Sequence, residues 1–395
     1  MLQSIQMRSF LSYGPESEAI PLKRLNVVIG PNGSGKSNLL EAVALMQSAP
    51  GQLAAPIREG GGVGEWLWKG AGPPPVASLE VVVEHMLSSQ QQIPLRYRFD
   101  FTESGRRFEI VDERIENAAA YPGHSAPYFY YRYENNHPVL NVKTEGGEGS
   151  RARNLRREDV DPEKSILAQR RDPDMYPEIT RLAETLASIR IYRDWSLGRY
   201  APPRLPQPAD LPNQWIEESA RNLGLVLNRL RRDVETKARL IEMFRAVYAE
   251  AEDFDVMIEG GTVQIFVQEG RFNTPATRLS DGTLRYLCLL AILCDPAPPP
   301  LVCIDEPELG LHPDLINQVA DGLRFASERT QLIVTTHSAA LVDAFTDEPD
   351  AVLVCEKENG CSQIRRLDGE HLKPWLETYR LGALWTSGEI GGVRW

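Results

Sequence analysis

Long apolar runs are missing from this sequence. No stretch of about 18 uninterrupted apolar residues occurs, and the first ten residues, MLQSIQMRSF, are too polar for the core of a signal peptide. Both absences argue against membrane insertion and secretion. We therefore expect a cytoplasmic protein that has no membrane partner.

Cysteine is scarce and is not paired in the sequence. The five cysteines are Cys288, Cys294, Cys303, Cys355 and Cys361, and no two of them have CxxC spacing. Most lie in apolar runs that are typical of a buried strand or helix. We expect neither a disulfide framework nor a zinc site.

Positive charge is in deficit. The chain has 43 Lys and Arg against 55 Asp and Glu, a net charge of −12, whereas nucleic-acid binding requires basic groups that neutralise phosphates. This balance excludes a surface that binds nucleic acid everywhere. One basic stretch, residues 151–171, carries Arg151, Arg153, Arg156, Arg157, Lys164, Arg170 and Arg171. A solvated surface segment and a DNA-facing patch both stay open for it.

What the chain does have is the size and composition of a globular protein. Its 395 residues exceed the length at which a single core usually stops growing, and 42% of them are hydrophobic. We expect one large domain with an insertion, or two unequal lobes.

The hydrophobic pattern alternates between strands and helices. Leu22–Gly30 has the pattern of a buried strand, and it precedes a predicted helix over Ser37–Met46. The second half predicts a strand after Gly260, a helix from Ser280, a strand over Leu301–Ile304, a helix from about Pro313, and strands over Gln331–Thr335 and Ala351–Val354. Such alternation indicates a mainly parallel sheet covered by helices. Between the halves lie a β-rich part, a proline-rich segment at 200–212 and two helices within Asn213–Glu252.

A glycine-rich loop follows the first of these strands. It fits the pattern GxxxxGK[ST], and its residues are Gly30, Pro31, Asn32, Gly33, Ser34, Gly35, Lys36 and Ser37, with Asn38 beside them. Backbone N–H groups of such a loop surround phosphate oxygens, and the dipole of the next helix attracts the same charge. We expect this loop to bind nucleotide, with Lys36 on the β- and γ-phosphates and Ser37 on Mg²⁺.

Two adjacent carboxylates end the strand at Leu301–Ile304. Asp305 is placed to meet Mg²⁺ beside Ser37, and Glu306, one residue later, to polarise an attacking water. Without the glycine-rich loop, an acidic pair at a strand end would more simply be a solvated turn.

Two further segments stand at helix starts. Ser280 in Leu279–Thr283 is a natural N-cap, and His337 follows the strand Gln331–Thr335. Taken singly, Ser280 could be a plain helix cap and His337 a structural histidine.

The order of these segments carries a family resemblance. GPNGSGKS, LSDGT, LVCIDEPELGLHP and IVTTHS resemble the Walker A, signature, Walker B with D-loop, and switch-histidine motifs of ATP-binding-cassette (ABC) ATPases. The early Walker A and the DEPE-x-x-LHP and TTHS runs are most similar to the RecF/SMC-like and OLD-like AAA ATPases of prokaryotes. The motif-bearing likeness covers roughly residues 1–50 and 270–360.

This resemblance implies an α/β fold, namely a P-loop NTPase of the ABC-type ATPase head with a mainly parallel sheet, a β-rich lobe and a short helical insertion. It also implies a homodimer that forms head to tail on ATP binding. Ser280, Asp281 and Gly282 of one copy would contact the ATP of the other. Glu306 would be the base, His337 the γ-phosphate sensor and Lys36 a further catalytic residue, with Mg²⁺ bound by Ser37 and Asp305.

The chain also departs from the family pattern. The Q-loop glutamine has two candidates, Gln169 and the run Gln90–Gln92, and His312 replaces the aspartate common in transporter D-loops. We expect no long coiled coil, since no heptad pattern is sustained. Glu356 resembles the glutamate that starts a Toprim nuclease, but 39 residues after it are too few for that fold.

On the resemblance the chain divides into four regions. These are an N-terminal ATPase lobe with Walker A and the β-rich part at 1–147, an inserted and mostly helical region with the proline-rich segment at 148–252, a C-terminal ATPase lobe with the other motifs at 253–360, and a tryptophan-rich tail, packed on the body or a partner, at 361–395.

The implied function is ATP hydrolysis coupled to DNA maintenance or anti-phage defence. The coupling would run through DNA or a separately encoded effector such as a nuclease. Two alternatives remain: an ATP-controlled switch or scaffold with very slow turnover, and, with less support, the nucleotide-binding subunit of a transporter.

Overall fold

The computed structural model describes residues 1–70, 75–84, 93–134, 137–143, 150–156, 160–193 and 195–392. The chain forms two compact units, each built from separate stretches of sequence. The first comprises Met1–Lys23, Pro31–Ile189 and Cys355–Arg365, and the second comprises Arg24–Gly30, Arg190–Val354 and the described residues from Arg366 onward.

The strands are numbered in chain order. They are β1 Leu2–Arg8, β2 Ile20–Pro21, β3 Leu25–Ile29, β4 Ala77–Val83, β5 Leu95–Ser104, β6 Arg107–Asn117, β7 Phe129–Glu134, β8 His137–Lys143, β9 Ser150–Asn154, β10 Arg190–Tyr192, β11 Gln207–Pro208, β12 Asp253–Glu259, β13 Thr262–Glu269, β14 Phe272–Pro275, β15 Leu301–Asp305, β16 Gln331–Thr335, β17 Val352–Glu358 and β18 Cys361–Arg366.

The helices are numbered in the same way. They are α1 Lys36–Ser48, α2 Ala54–Glu59, α3 Val63–Trp66, α4 Ile166–Gln169, α5 Pro177–Ala187, α6 Leu223–Leu230, α7 Val234–Arg245, α8 Asp281–Leu293, α9 Ile316–Ser327, α10 Ala339–Ala344, α11 Gly369–Leu376 and α12 Leu381–Thr386. Short 3₁₀ turns occur at Pro202–Arg204, Ala276–Arg278, Pro313–Leu315 and Pro349–Ala351.

The first unit contains an antiparallel sheet in the order β2-β1-β4-β5-β6-β7-β8-β9. Phe99 and Phe101 of β5 are fully buried, and the Phe101 ring lies 5.2 Å from that of Phe108 and 6.4 Å from that of Phe10. Aromatic side chains fit a pleated surface that is buried on one face. This ring cluster is part of the core of the first unit.

The second unit contains a parallel sheet in which the order β10-β15-β16-β3-β17 is set by parallel pairings. β3 and β16 are buried along their whole length, as expected for central strands that have helices on both faces. A smaller antiparallel sheet is formed by β11, β13, β12 and β14. The P-loop NTPase fold with a mainly parallel sheet, expected from the sequence, is confirmed.

Helix α8 forms the centre of the hydrophobic core of the second unit. Its residues from Tyr286 to Leu293 are all buried. Ser280 caps its first turn, since the Ser280 hydroxyl accepts a hydrogen bond from the Thr283 N–H at 3.0 Å. The predicted start of this helix is therefore correct.

The last strands differ from the sequence-based expectation. The apolar run Ala351–Val354 predicts a final strand, but β17 extends to Glu358 and is followed by β18. The turn between them has positive φ at Asn359 (50°) and Gly360 (82°), as a two-residue Asn-Gly hairpin requires.

None of the helices in the described ranges is both long and apolar enough to cross a membrane.

Candidate functional site

The glycine-rich loop leads directly into α1 in the first unit. Gly35 is the N-cap residue, so Lys36 and Ser37 open the first turn of the helix. The Lys36 side chain is buried and its Nζ donates to the Pro31 carbonyl at 3.1 Å, whereas Ser37 is exposed. Asn38 donates from Nδ2 to Ser12 Oγ at 2.7 Å. Lys36 and Ser37, predicted to contact phosphate and Mg²⁺, therefore lie at a helix N-terminus, where backbone N–H groups lack helical partners.

Gly35 occupies a position that no other residue fits. Its φ is +118°, and a Cβ built there would overlap the Ser362 side chain and lie 2.9 Å from Ser12 Oγ. The hydroxyl of Tyr13 donates to the Gly35 carbonyl at 3.0 Å. The sequence shows this glycine as part of a motif, and the structure shows that Ser12 and Ser362 leave no room for a side chain at this position.

Ser34 provides a test of whether the loop fits a phosphate. Its carbonyl accepts from Cys355 Sγ at 3.3 Å and from Ser362 Oγ, yet its own hydroxyl is buried and has no hydrogen-bond partner among the residues that the structure describes. Buried hydroxyls normally have a partner. A loop with an unsatisfied donor at a helix N-terminus fits an anionic group, and the exposed Ser37 hydroxyl fits a hard cation bound to it.

In the second unit, three strand ends meet at one edge of the parallel sheet. Thr335 of β16 pairs with Val28 of β3 on one side and with Asp305 of β15 on the other. The Thr336 N–H donates to the Val28 carbonyl at 3.1 Å. Because parallel strands end at the same edge, the strand before Gly30, where the glycine-rich loop begins, ends at the same edge as the acidic pair, with β16 between them.

The acidic pair itself is held by the neighbouring strand. Thr335 Oγ1 donates to Asp305, and the Glu306 N–H donates to the Thr335 carbonyl at 3.1 Å. Glu306 has a φ of +47°, a left-handed conformation that is uncommon for residues other than glycine and often occurs at functional positions. Its Oε1 lies 3.5 Å from His337 Nε2, and both side chains are about one-third exposed. The two residues predicted as base and sensor are therefore neighbours in space.

Glu308 is a member of this group that sequence reasoning did not single out. Its carboxylate accepts from Thr336 Oγ1 and, at 3.3 Å, from the His337 N–H. Burial raises its pKa above the ordinary value of 4.5. Glu308 thus links the turn after β15 to the segment that carries His337. The sequence around Asp305 and Glu306 does not distinguish Glu308 from an exposed acid. Glu308 is partly buried because the segment after β16 packs against it.

The signature segment lies at the exposed start of α8. Ser280 and Asp281 are exposed and Gly282 is half-buried. A Cβ at Gly282 would lie 3.0 Å from the Gly310 carbonyl, so this glycine lets α8 approach the turn that follows the acidic pair. Asp281 is paired with Arg204, a buried residue of the proline-rich segment.

The described Q-loop and D-loop candidates, Gln169 and His312, contact residues close to them in the sequence. Gln169 is in the first unit, where its amide donates to the Lys164 carbonyl at 2.7 Å and accepts from the Asp161 N–H at 2.8 Å; it caps a local turn. Gln90–Gln92 lie outside the described residues. His312 is exposed and pairs with Asp314 at 3.2 Å.

In the described part of the basic stretch at 151–171, Lys164, Arg170 and Arg171 all have partners, and Arg170 donates to the Gln169 carbonyl at 3.0 Å. Lys164 pairs with Asp161 at 3.0 Å, and Arg171 donates to the Leu167 carbonyl at 3.2 Å. Arg157 is not among the described residues.

The parallel sheet, the glycine-rich loop before α1 and the acid-capped strand β15 define a P-loop NTPase of the ABC-type ATPase head. The fold is also that of solved SMC heads. The Smc head bound to the C-winged helix domain of ScpA has a TM-score of 0.57 and 15% identity, over 94% of this chain and 99% of that chain. A Smc head domain with an extended coiled coil, bound to the C-terminal domain of ScpA derived from Pyrococcus furiosus, has a TM-score of 0.54 and 14% identity, over 95% and 98%.

Residues 25–343 match the family described as "AAA domain, putative AbiEii toxin, Type IV TA system". The chain belongs to this family, and the ATPase of SMC/RecF/OLD-like type expected from the motifs is confirmed. A curated relative, the Old nuclease of Escherichia phage P2, is 34% identical over 121 residues. That match covers 27% of this chain and 20% of the relative, so the chain spans about a fifth of that protein.

Proposed function

We propose that this chain binds and hydrolyses ATP, with Mg²⁺, at a site that a second copy of the chain completes. The observation that carries the proposal is the register of the parallel sheet. It places the strand that leads to the glycine-rich loop, the acidic pair and the His337 segment at one edge. Membership of a P-loop ATPase family supports the same chemistry.

The glycine-rich loop supplies the phosphate site. The proposed nucleotide-binding residues are Gly30, Pro31, Asn32, Gly33, Ser34, Gly35, Lys36, Ser37 and Asn38. The first N–H groups of α1 and the Lys36 ammonium bind the β- and γ-phosphates. Ser37 and Asp305 would hold Mg²⁺, which neutralises developing negative charge on the phosphates when it is bound.

Glu306 is the proposed base. Its partly exposed carboxylate can accept a proton from a water molecule, and its distance of 3.5 Å from His337 Nε2 allows both groups to contact the same water. Thr335 and Glu308 fix the two segments, so that neither Glu306 nor His337 needs to reorganise far during turnover.

The second copy would contribute its signature segment. Ser280, Asp281 and the Gly282 backbone stand at the exposed N-terminus of a helix of 13 residues, whose dipole favours a negative charge. A γ-phosphate bound to the glycine-rich loop of one copy is the charge that such a surface fits.

Coupling to DNA or to an effector protein completes the proposal. Similarity to part of a nuclease, the Old nuclease of phage P2, supports a nuclease as effector, and the resemblance of the motifs implies a role in DNA maintenance or anti-phage defence. We expect the basic stretch at 151–171 to be the first place to test for DNA contact, because binding there would weaken steeply with salt.

Mass in solution tests the central proposal. The Glu306→Gln variant should bind ATP without turning it over, so light scattering should show a monomer that becomes a dimer when ATP and Mg²⁺ are added. Lys36→Ala is the control that should stay monomeric. A Glu306→Gln protein that binds ATP and stays monomeric would contradict the second-copy site.

A further inference from the structure

A buried arginine holds the signature segment from behind. Arg204, in the 3₁₀ turn Pro202–Arg204, is 7% exposed. Its Nε donates to the Leu197 carbonyl at 2.8 Å, its Nη1 to the Ala276 and Leu279 carbonyls at 3.2 and 2.6 Å, and its Nη2 to Asp281 Oδ1. One guanidinium therefore binds the turn before α8 and the first residue of the helix.

The pair of a buried arginine and an exposed aspartate is unusual for a contact that only adds stability. Burying a guanidinium is costly unless all of its donors are satisfied, yet the partner carboxylate of Asp281 is 71% exposed and needs no partner. The planar guanidinium instead fixes four groups, three carbonyls and one carboxylate, relative to one another. What it fixes is the backbone on both sides of Ser280.

The segment that ends at Arg204 contacts α8 at a second point. Arg285, one turn after Asp281, donates from Nη2 to the Trp195 carbonyl at 2.9 Å, and its guanidinium lies 5.9 Å from the Trp195 ring centre. We name Trp195–Arg204 the signature strap. Its two ends bind the first two turns of α8.

The signature strap starts near the acidic pair. It follows β10, whose last residue Tyr192 pairs with Ile304 immediately before Asp305. The chain therefore runs from the sheet edge that carries the acidic pair to the segment that the second copy would use.

We propose that Arg204 is a positioning residue that sets the geometry of the signature segment through the signature strap, and so controls ATP-driven association without taking part in nucleotide binding. The inference rests on the proposed function, since it presumes that the signature segment binds the second copy's nucleotide. It also gives a role to the proline-rich segment at 200–212, which the sequence indicates only as part of the inserted region.

The test places Arg204→Ala in the Glu306→Gln background. ATP binding to the monomer should stay within about twofold of the parent, because the glycine-rich loop is untouched, while the ATP-dependent dimerisation constant should fall by about tenfold or more, the size expected for losing hydrogen bonds to a charged group. Hydrogen–deuterium exchange of peptides that span residues 276–284 should become faster without nucleotide. Arg204→Lys keeps the buried charge but loses the planar guanidinium, so it should show the same defects. It replaces Arg204→Ala in the test if that variant does not fold.

Arg229→Ala is the matched control. Arg229 also lies in the second unit, binds backbone carbonyls (Asn213 at 2.8 Å and Gln214 at 2.7 Å) and pairs with Asp295, a buried carboxylate. These contacts are separate from those that Arg204 and Arg285 make, so the variant should lower stability but leave exchange at 276–284 and dimerisation as in the parent.

Three results would overturn the inference: unchanged exchange at 276–284, faster exchange with undiminished dimerisation, or equal losses in the Arg204 and Arg229 variants. Failure of the proposed function looks different. In that case the Glu306→Gln parent itself binds ATP and does not associate, and the inference falls with it.

Discussion

The two units hold acidic side chains in different settings. In the second unit, the acids Asp305, Glu306 and Glu308 stand at or after a strand end, where they keep some exposure and contact neighbouring segments. In the first unit, Glu113 lies in the middle of β6, is 2% exposed and accepts bonds from Tyr97 at 2.9 Å, Ser165 at 2.5 Å and the Ile166 N–H at 2.9 Å. Strand ends of a parallel sheet offer sites for chemistry, whereas a carboxyl group inside an antiparallel sheet fastens one segment to another.

The largest effect is expected from a change at Glu306. Glu306→Gln keeps the shape but cannot accept a proton, so ATP turnover should fall by about 100-fold or more, in the range of general-base catalysis. Stability should hardly change, because the side chain is partly exposed. Steady-state phosphate release and thermal unfolding measure the two effects; Asp314→Asn, at an exposed acid after the same strand, is the control. Turnover that survives in Glu306→Gln would remove it from the role of base.

Gly35→Ala is expected to have the next largest effect. The positive φ and the overlap with Ser362 should destabilise the loop by ~2–4 kcal/mol and remove ATP binding. Gly62→Ala is a matched control in the same unit, since Gly62 has a φ of +95° and no atom within 4 Å of the added Cβ. Binding calorimetry would measure the loss of ATP binding, and chemical denaturation would measure the loss of stability. Equal losses in both variants would show that backbone strain alone, and not the Ser362 contact, sets the cost.

The Glu113 cluster predicts a pH dependence of stability in the first unit. Burial raises the pKa of Glu113 to about 7 from 4.5, so between these values the folded chain keeps a proton that the unfolded chain releases. The stability that this group contributes is therefore fully present below about pH 4.5 and is lost as the pH rises through about 7, by up to ~3 kcal/mol.

Glu113→Gln, which cannot titrate, isolates this contribution. Urea denaturation at about pH 5 and about pH 8, on either side of the folded-state pKa, should show the wild-type chain losing more stability than the variant over that interval. Parallel pH profiles for the two proteins would mean that the buried carboxyl does not release its proton in this range.

The smallest expected effect compares two helix caps in the second unit. Ser280 caps α8 through the Thr283 N–H at 3.0 Å, and Asp233 caps α7 through the Thr236 N–H at 2.8 Å. Replacing either by alanine should cost ~1 kcal/mol of stability. Only Ser280→Ala should also reduce ATP turnover, measured as phosphate release. If Asp233→Ala slows turnover equally, the effect of Ser280 is that of a cap.

Local pattern explains why much of this fold could be predicted from the sequence. Gln331–Thr335 is a strand with the predicted bounds, because it is a mostly apolar run, and α8 begins after Ser280, because a cap precedes the run. β12 at Asp253–Glu259 is not among the predicted strands: acids alternate with apolar residues from Asp253 to Val256, but the adjacent Met257 and Ile258 interrupt this alternation and both are exposed.

The residues of the candidate site also fall into those that the sequence predicts and those that it does not. The motif residues could be named because their spacing is short. Arg204 and Glu308 could not, because each is defined by partners far away in sequence: Arg204 lies 77 residues from Asp281 and Glu308 lies 28 residues from Thr336. A charged residue in a linker or an acidic turn looks exposed until its tertiary partners are known.

The position of β3 also bears on how this protein is made. β3 spans residues 25 to 29, yet its neighbours in the sheet are β16 and β17, which begin at residues 331 and 352. During synthesis, β3 leaves the ribosome long before β16 or β17 is made. The apolar Leu25–Ile29 segment therefore has no pairing strand during most of synthesis. Long-range pairings of this kind are slow to form and leave strand edges exposed. We therefore expect nascent chains that stop short of residue 331 to depend on chaperones, and truncated products to be recovered as aggregates.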